Sequence, residues 1–158
     1  MKNTSAYLII GLFATGASLI PAGEAIAQSG HFIEKATNCT DIGTQLLCTG
    51  KVAGLGGTTF EIRLAGQGVA TVECTNPGGN VAPGQTFEFD ALGATGPLPT
   101  PRNGQYRFTL TTVHPSAPAD SCPNPQWTAE VVDVEFTTAT LTLFEDGMQV
   151  DTQTVEVE

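Results

Sequence analysis

Few residues in this chain of 158 could do chemistry, and their types narrow what that chemistry would be. The two histidines are His31 and His114. Were processing to start the chain at His31, its amino group and imidazole together with His114 would form a copper brace, since amine and imidazole nitrogens suit Cu(II). A start at Ser29 would leave Ser29-Gly30-His31, an amino-terminal chelate for the same ion. Oxygen ligands come from Glu130, Asp133 and Glu135, and carboxylates alone suit Ca²⁺. The candidate metal ligands are therefore His31, His114, Glu130 and Asp133, with copper or calcium as the ion. Two carboxylates are also what a glycosidase requires, although alternating acids on a strand more often form its solvated face.

Nucleophilic catalysis finds no support. Beyond residue 28 serine occurs only as Ser29, Ser116 and Ser121, none within a G-x-S-x-G elbow. The glycine-rich run Gly54-Leu55-Gly56-Gly57 precedes a strand and lacks the Lys of a phosphate loop, so it reads as a hairpin turn. Trp127 beside Pro125 is placed in the core rather than on a sugar-stacking platform. No catalytic residues are expected. The function that follows is a non-enzymatic binding or structural module; the alternative is a small metal-dependent or carbohydrate-active protein using the histidines or the acids.

The four cysteines are an even set, and the start of the chain says where they mature. Lys2, the apolar stretch Ala6 to Ala14, the helix-breaking Pro21 and the small residues of Ala25-Ile26-Ala27 make residues 1–27 a secretory signal peptide. The apolar span is too short to cross a bilayer. Residues 28–158 then form one domain, secreted or periplasmic, in which disulfides are the default. Ile42-Gly43-Thr44-Gln45 has glycine at the first central position of a two-residue turn. Opposed residues then sum to 87, which sets Cys39 across from Cys48 as a non-hydrogen-bonded pair within disulfide range. Cys74 and Cys122 are partnered by elimination and would tie two irregular loops.

Six Lys and Arg against sixteen Asp and Glu give a net charge of -10, which excludes a nucleic-acid backbone as partner. The charge is uneven: residues 103–158 hold nine acids and a single base, Arg107. A partner at the cell surface, in the periplasm or in the medium is expected, and no later segment is apolar enough to span a membrane as a helix.

The elements that would position these residues are strands, because the hydrophobic period is two almost throughout. Phe60, Ile62 and Leu64 alternate with Glu61 and Arg63; Phe87 and Phe89 alternate with Glu88 and Asp90; Phe108, Leu110 and Thr112 alternate with Arg107, Thr109 and Thr111. The inward set Trp127, Ala129, Val131 changes phase to Val132, Val134, Phe136, which predicts a β-bulge near Val131-Val132. Asp146-Gly147 is a type I′ signature. About nine short strands are predicted, at 31–40, 45–53, 58–65, 68–75, 85–91, 104–114, 127–136, 138–145 and 148–157. The fold class is all-β, an antiparallel two-sheet sandwich of immunoglobulin-like architecture. The irregular segments 76–84, 92–103 and 115–126 are where function is expected to concentrate.

The succession Ala53-Gly54-Leu55-Gly56, Cys74-Thr75-Asn76-Pro77-Gly78-Gly79-Asn80 and Cys122-Pro123-Asn124-Pro125 resembles small secreted bacterial β-sandwich proteins of unassigned function, over roughly residues 34 to 155. The resemblance implies a bacterial, exported origin and carries no catalytic residues.

Overall fold

The computed structural model describes residues 29–158; the export segment read over residues 1–27 lies outside them. The chain forms β1 (His31–Phe32), a 3-10 turn (Glu34–Ala36), β2 (Asn38–Asp41), β3 (Leu46–Ala53), β4 (Thr59–Thr75), β5 (Val81–Pro83), β6 (Phe87–Ala94), β7 (Leu98–Pro99), β8 (Tyr106–Thr111), β9 (Thr128–Glu145) and β10 (Met148–Glu156). They pack as two antiparallel sheets, the predicted sandwich. In the smaller sheet β3 is central, with β8 on one edge and β1 and β2 sharing the other. In the larger sheet β10, β9 and β4 lie side by side, and β7, β6 and β5 follow one another along the far edge of β4.

Alternation explains the core. Phe60, Ile62 and Leu64 of β4 and Leu141 and Leu143 of β9 point inward to meet Leu46, Val52 and Phe108 of the smaller sheet, all at most 3% exposed. Each such burial contributes about 1.5–3 kcal/mol. The sheets are joined along one margin, where the end of β10 reaches β2: Asp41 N–H donates to Glu158 O and Glu158 N–H to Cys39 O. At the other margin Val113 N–H donates to Leu92 O, tying the end of β8 to β6.

The turns form as their residues dictate. Gly43 takes a φ of 95°, and Asp146 and Gly147 both take positive φ, 48° and 81°. Cys39 pairs with Cys48 at a Cα separation of 4.1 Å, in the register that sums to 87. Cys74 is bonded to Cys122. Cys74, however, sits within β4, fully buried between Ala82 and Ala129, so this bond ties a strand to one loop rather than two loops to each other.

Several boundaries differ from the sequence reading. The predicted strands 58–65 and 68–75 are one strand, β4, and 127–136 and 138–145 are one strand, β9. A single β9 absorbs two bulges opposite β4, at Val132 and at Thr137. The first lies where the phase slip placed it, but Val132 is the extra residue and points outward, 41% exposed, rather than joining the inward set. Gly66 and Gly68 do not break β4 because they face inward into tight space. A Cβ on Gly68 would lie 2.7 Å from Val134 Cγ1, and one on Gly66 2.8 Å from Leu46 Cδ2.

The predicted strand 31–40 is interrupted by the 3-10 turn. Gly54 to Gly57 is not a hairpin turn either, since it crosses from the smaller sheet to the larger. Its backbone is held by the last hairpin: Gly56 N–H donates to Glu145 Oε1 at 2.9 Å, and Thr58 and Thr59 N–H donate to the Asp146 carboxylate at 2.9 to 3.1 Å. These bonds hold the Asp146 carboxyl below the usual carboxylate range, the contact from Thr59 N–H being the largest cause.

Candidate functional site

The register of the larger sheet lines outward residues of β6, β4 and β9 into rungs. Reading across the three strands, the rungs are Ala94, Arg63 and Thr142; then Leu92, Ala65 and Thr140; then Asp90, Gln67 and Thr138; then Glu88, Val69 and Glu135. Successive rungs are two residues apart, about 6.7 Å. The middle member of each is the strand floor, which is lowest at Ala65 and rises at Arg63, Gln67 and Val69. Three adjoining depressions follow β4, the middle one sharing Gln67 and Asp90 with one neighbour and Ala65, Leu92 and Thr140 with the other, so that together they make a trough. Four rungs make it about 20 Å long, and two interstrand spacings make it about 10 Å between flanking backbones.

The two ends of the trough differ in chemistry. One end encloses about 530 Å³ beside Leu92, Val113, Ala94 and Phe144. Leu92 and Val113, joined by the Val113 N–H to Leu92 O bond, are 57% and 61% exposed there and form a contiguous apolar patch. The other end, of about 480 Å³, is bordered by Glu88, Asp90 and Glu135. Beyond it the same face carries Asp133 opposite Thr71 and Glu130 opposite Glu73. Arg63 is the sole base among the strands of the larger sheet, and it is already engaged. Its Nη2 lies 2.9 Å from Glu61 Oε2, and its guanidinium stands 4.4 Å from the centre of the Phe144 ring. The hydrogen bond that Arg63 donates to Glu61 raises the Arg63 pKa.

The predicted metal ligands fall into two sets. His31 is exposed on β1 opposite Ala53, at one end of β3. His114 follows β8 beyond the Thr111 and Leu47 pair at the other end, so the length of β3, at least roughly 20 Å, separates them. The structure does not bring the two imidazoles together, and a shared copper site is not formed. His114 is committed locally, with Nδ1–H donating to Pro115 O at 2.9 Å. Glu130 and Asp133 do share the outer face, exposed on either side of the Val132 bulge. Among the described residues no group of three or more His, Cys, Asp or Glu is arranged to hold a metal ion.

Of the three serines among the described residues, Ser29 and Ser116 are exposed and Ser121 is buried, where its backbone O accepts from Gln85 N–H. Trp127 is half-buried and packs against the core. The segments expected to carry function are partly strands: β5 lies in 76–84, and the end of β6 and all of β7 lie in 92–103.

Comparisons with known proteins add little. No family model matches the chain, and no curated protein does. Among solved structures, the β-glucuronidase of Bacteroides uniformis is similar at 14% identity with a TM-score of 0.35, over 79% of this chain. Its β-glucuronidase 2, bound covalently to cyclophellitol-6-carboxylate aziridine, gives 13% and 0.35, and a calcium-binding mutant of the latter gives 13% and 0.32. The chain spans 14% of the length of each. A likeness this slight says nothing of activity. Among the described residues no helix is long and apolar enough to cross a membrane.

Of the side chains on this face, Glu88 and Asp90 were visible in sequence only as members of an alternating strand, and Leu92 fell in the segment 92–103 read as irregular, whereas β6 runs on to Ala94. Their convergence with Glu135 and Phe144 depends on β6 and β9 flanking β4, an arrangement between distant segments.

Proposed function

We propose that this chain is an exported, non-enzymatic binding module of bacterial origin that captures its partner along the trough on the outer face of the larger sheet. The observation that carries this reading is the continuity of that trough over Ala65 and Gln67, with exposed apolar side chains at one end and carboxylates at the other. Surfaces of a stable domain rarely leave large aliphatic side chains clustered in a concavity unless something covers them. Secretion or residence in the periplasm agrees with two formed disulfides, since such bonds persist in oxidising compartments.

Two measurements test it. Wild-type protein and an Ala65→Trp variant, whose indole would fill the trough floor, are compared for retention on envelope and medium fractions of the native host. Saturable retention that the variant loses is expected; equal retention by both overturns the trough as the binding surface. Amino-terminal sequencing of protein from that host is expected to begin near residue 28, and a chain still carrying Met1 overturns export.

A further inference from the structure

We infer that the occupant of the trough is an extended, cationic polypeptide segment, with lysine or arginine side chains at the Glu88, Asp90 and Glu135 end and apolar side chains at the Phe144 end. This rests on the trough being the binding surface, as proposed above. Three observations select the occupant.

The first is the repeat. Rungs along the trough recur every two residues, about 6.7 Å, and the side chains on one side of an extended peptide recur at the same interval. A segment of about seven residues fills the four rungs. A helix, about 10 Å across with its side chains, is as wide as the distance between the flanking backbones and leaves no room for the walls.

The second is charge. Glu88 and Glu135 face each other across Val69, and Asp90 stands one rung further along. Asp133, Glu73 and Glu130 continue the same sign past the end of the trough. Arg63 stands two rungs from Asp90 and three from Glu88, at the other end of the trough, and is paired with Glu61. Fields of one sign in a concave site raise the local concentration of the opposite charge and repel an acidic chain.

The third is the apolar end. Leu92 and Val113 leave aliphatic surface open beside Phe144, which suits branched or aromatic side chains and not the hydroxyl-covered edges of a sugar polymer. The one tryptophan of the chain packs against the core and provides no stacking platform in the trough. Along the wall between the two ends, Thr138, Thr140 and Thr142 place hydroxyls within reach of a bound backbone.

The test uses fluorescence anisotropy with three labelled probes. One is a peptide of about ten residues alternating Leu and Thr in one half and Lys and Thr in the other, the second has Glu in place of Lys, and the third is a cello-oligosaccharide. The lysine peptide is expected to bind saturably. Its affinity should fall about tenfold in a Glu88→Gln, Asp90→Asn, Glu135→Gln variant and weaken as salt rises. These three residues are exposed, so the variant should fold; its melting temperature verifies that. Thr109→Trp on the smaller sheet should leave binding unchanged. Absence of binding by the lysine peptide, equal binding of the glutamate peptide, or no effect of the neutralising variant overturns the inference. If the glutamate peptide or the oligosaccharide binds and Ala65→Trp abolishes it, the trough stands and its assigned chemistry falls. If Ala65→Trp leaves binding of every probe intact, the trough itself falls.

Discussion

On the smaller sheet the outward residues of the central strand, Thr49 and Lys51, stand opposite Thr109 and Arg107 on β8, at similar heights. On the larger sheet one outward residue of the central strand, Ala65, is small and is set between Leu92 and Thr140. Both faces come from the same inward and outward alternation, and each carries a like-charge pair across two strands: Lys51 with Arg107 on one, Glu73 with Glu130 on the other. The difference lies in one small outward residue on the middle strand, Ala65, since inward glycines are crowded in both sheets, Gly50 of β3 as well as Gly66 and Gly68 of β4. A sheet face dips where its central strand carries a small outward residue between larger ones on its neighbours.

Each sheet has its own disulfide, and removing them gives the largest expected contrast. Converting Cys74 and Cys122 to Ala should destabilise by about 4 kcal/mol, and converting Cys39 and Cys48 by less than about 3 kcal/mol, because loop-closure entropy grows with the length closed. The sequence separations are 48 and 9 residues. Denaturant titration orders the two; the reverse order would mean that the hairpin bond supports more than its own turn.

Next in size is Gly68→Val. Its Cβ would approach Val134 Cγ1 at 2.7 Å and the Glu135 backbone O at 2.9 Å. A loss of about 2–3 kcal/mol is expected, against less than about 0.5 kcal/mol for Thr49→Val on the smaller sheet. Equal melting temperatures for the two variants would remove the crowding at Gly68.

A smaller effect comes from the like-charge pairs. Glu130→Lys and Lys51→Glu should each stabilise by about 0.2–1 kcal/mol at low salt, since opposed like charges are unfavourable across strands, and the gain should shrink as salt is added. Comparable gains would make the two faces electrically equivalent apart from sign.

The smallest concerns acid. The Asp146 carboxyl has its pKa lowered in the folded protein, so its contribution is present above the unfolded carboxylate value, about 3.9. That contribution is lost as pH falls through the lower folded value. Asp146→Asn should therefore flatten the acid limb of melting temperature between about pH 5 and about pH 2. A limb as steep as that of wild type would show that the Thr58 and Thr59 amides do not select the ionised form.

Much of the sandwich was legible because its signals are local. The alternation of Phe60, Ile62 and Leu64, the Asp146-Gly147 turn and the opposition of Cys39 to Cys48 each need only a few neighbouring residues, and the structure has them all. Gly66-Gln67-Gly68 misled because glycines within a strand usually mark a bend or a turn. Here they admit Leu46 and the bulged part of β9 from the inner side. The Gly54 to Gly57 run misled for a related reason: what holds it, Glu145 and Asp146, lies about ninety residues further along and leaves no local trace. The trough was not legible, although its carboxylates were already assigned to solvent. Its walls belong to β6 and β9, and nothing in either stretch states which strand separates them.

The two bulges of β9 also determine where this long strand could be shortened. Val132 and Thr137 are the residues left without a counterpart on β4. Deleting either would splice the strand into unbroken alternation with its pairing to β4 intact, at the cost, for Thr137, of the bond from Val157 N–H. Loss of Val134, by contrast, would turn every side chain between the excision and the nearest bulge onto the wrong side of the sheet. A frame of eighteen residues thus tolerates subtraction at two positions, and a library of single-codon deletions would recover folded protein at those two and not at the buried sites between them.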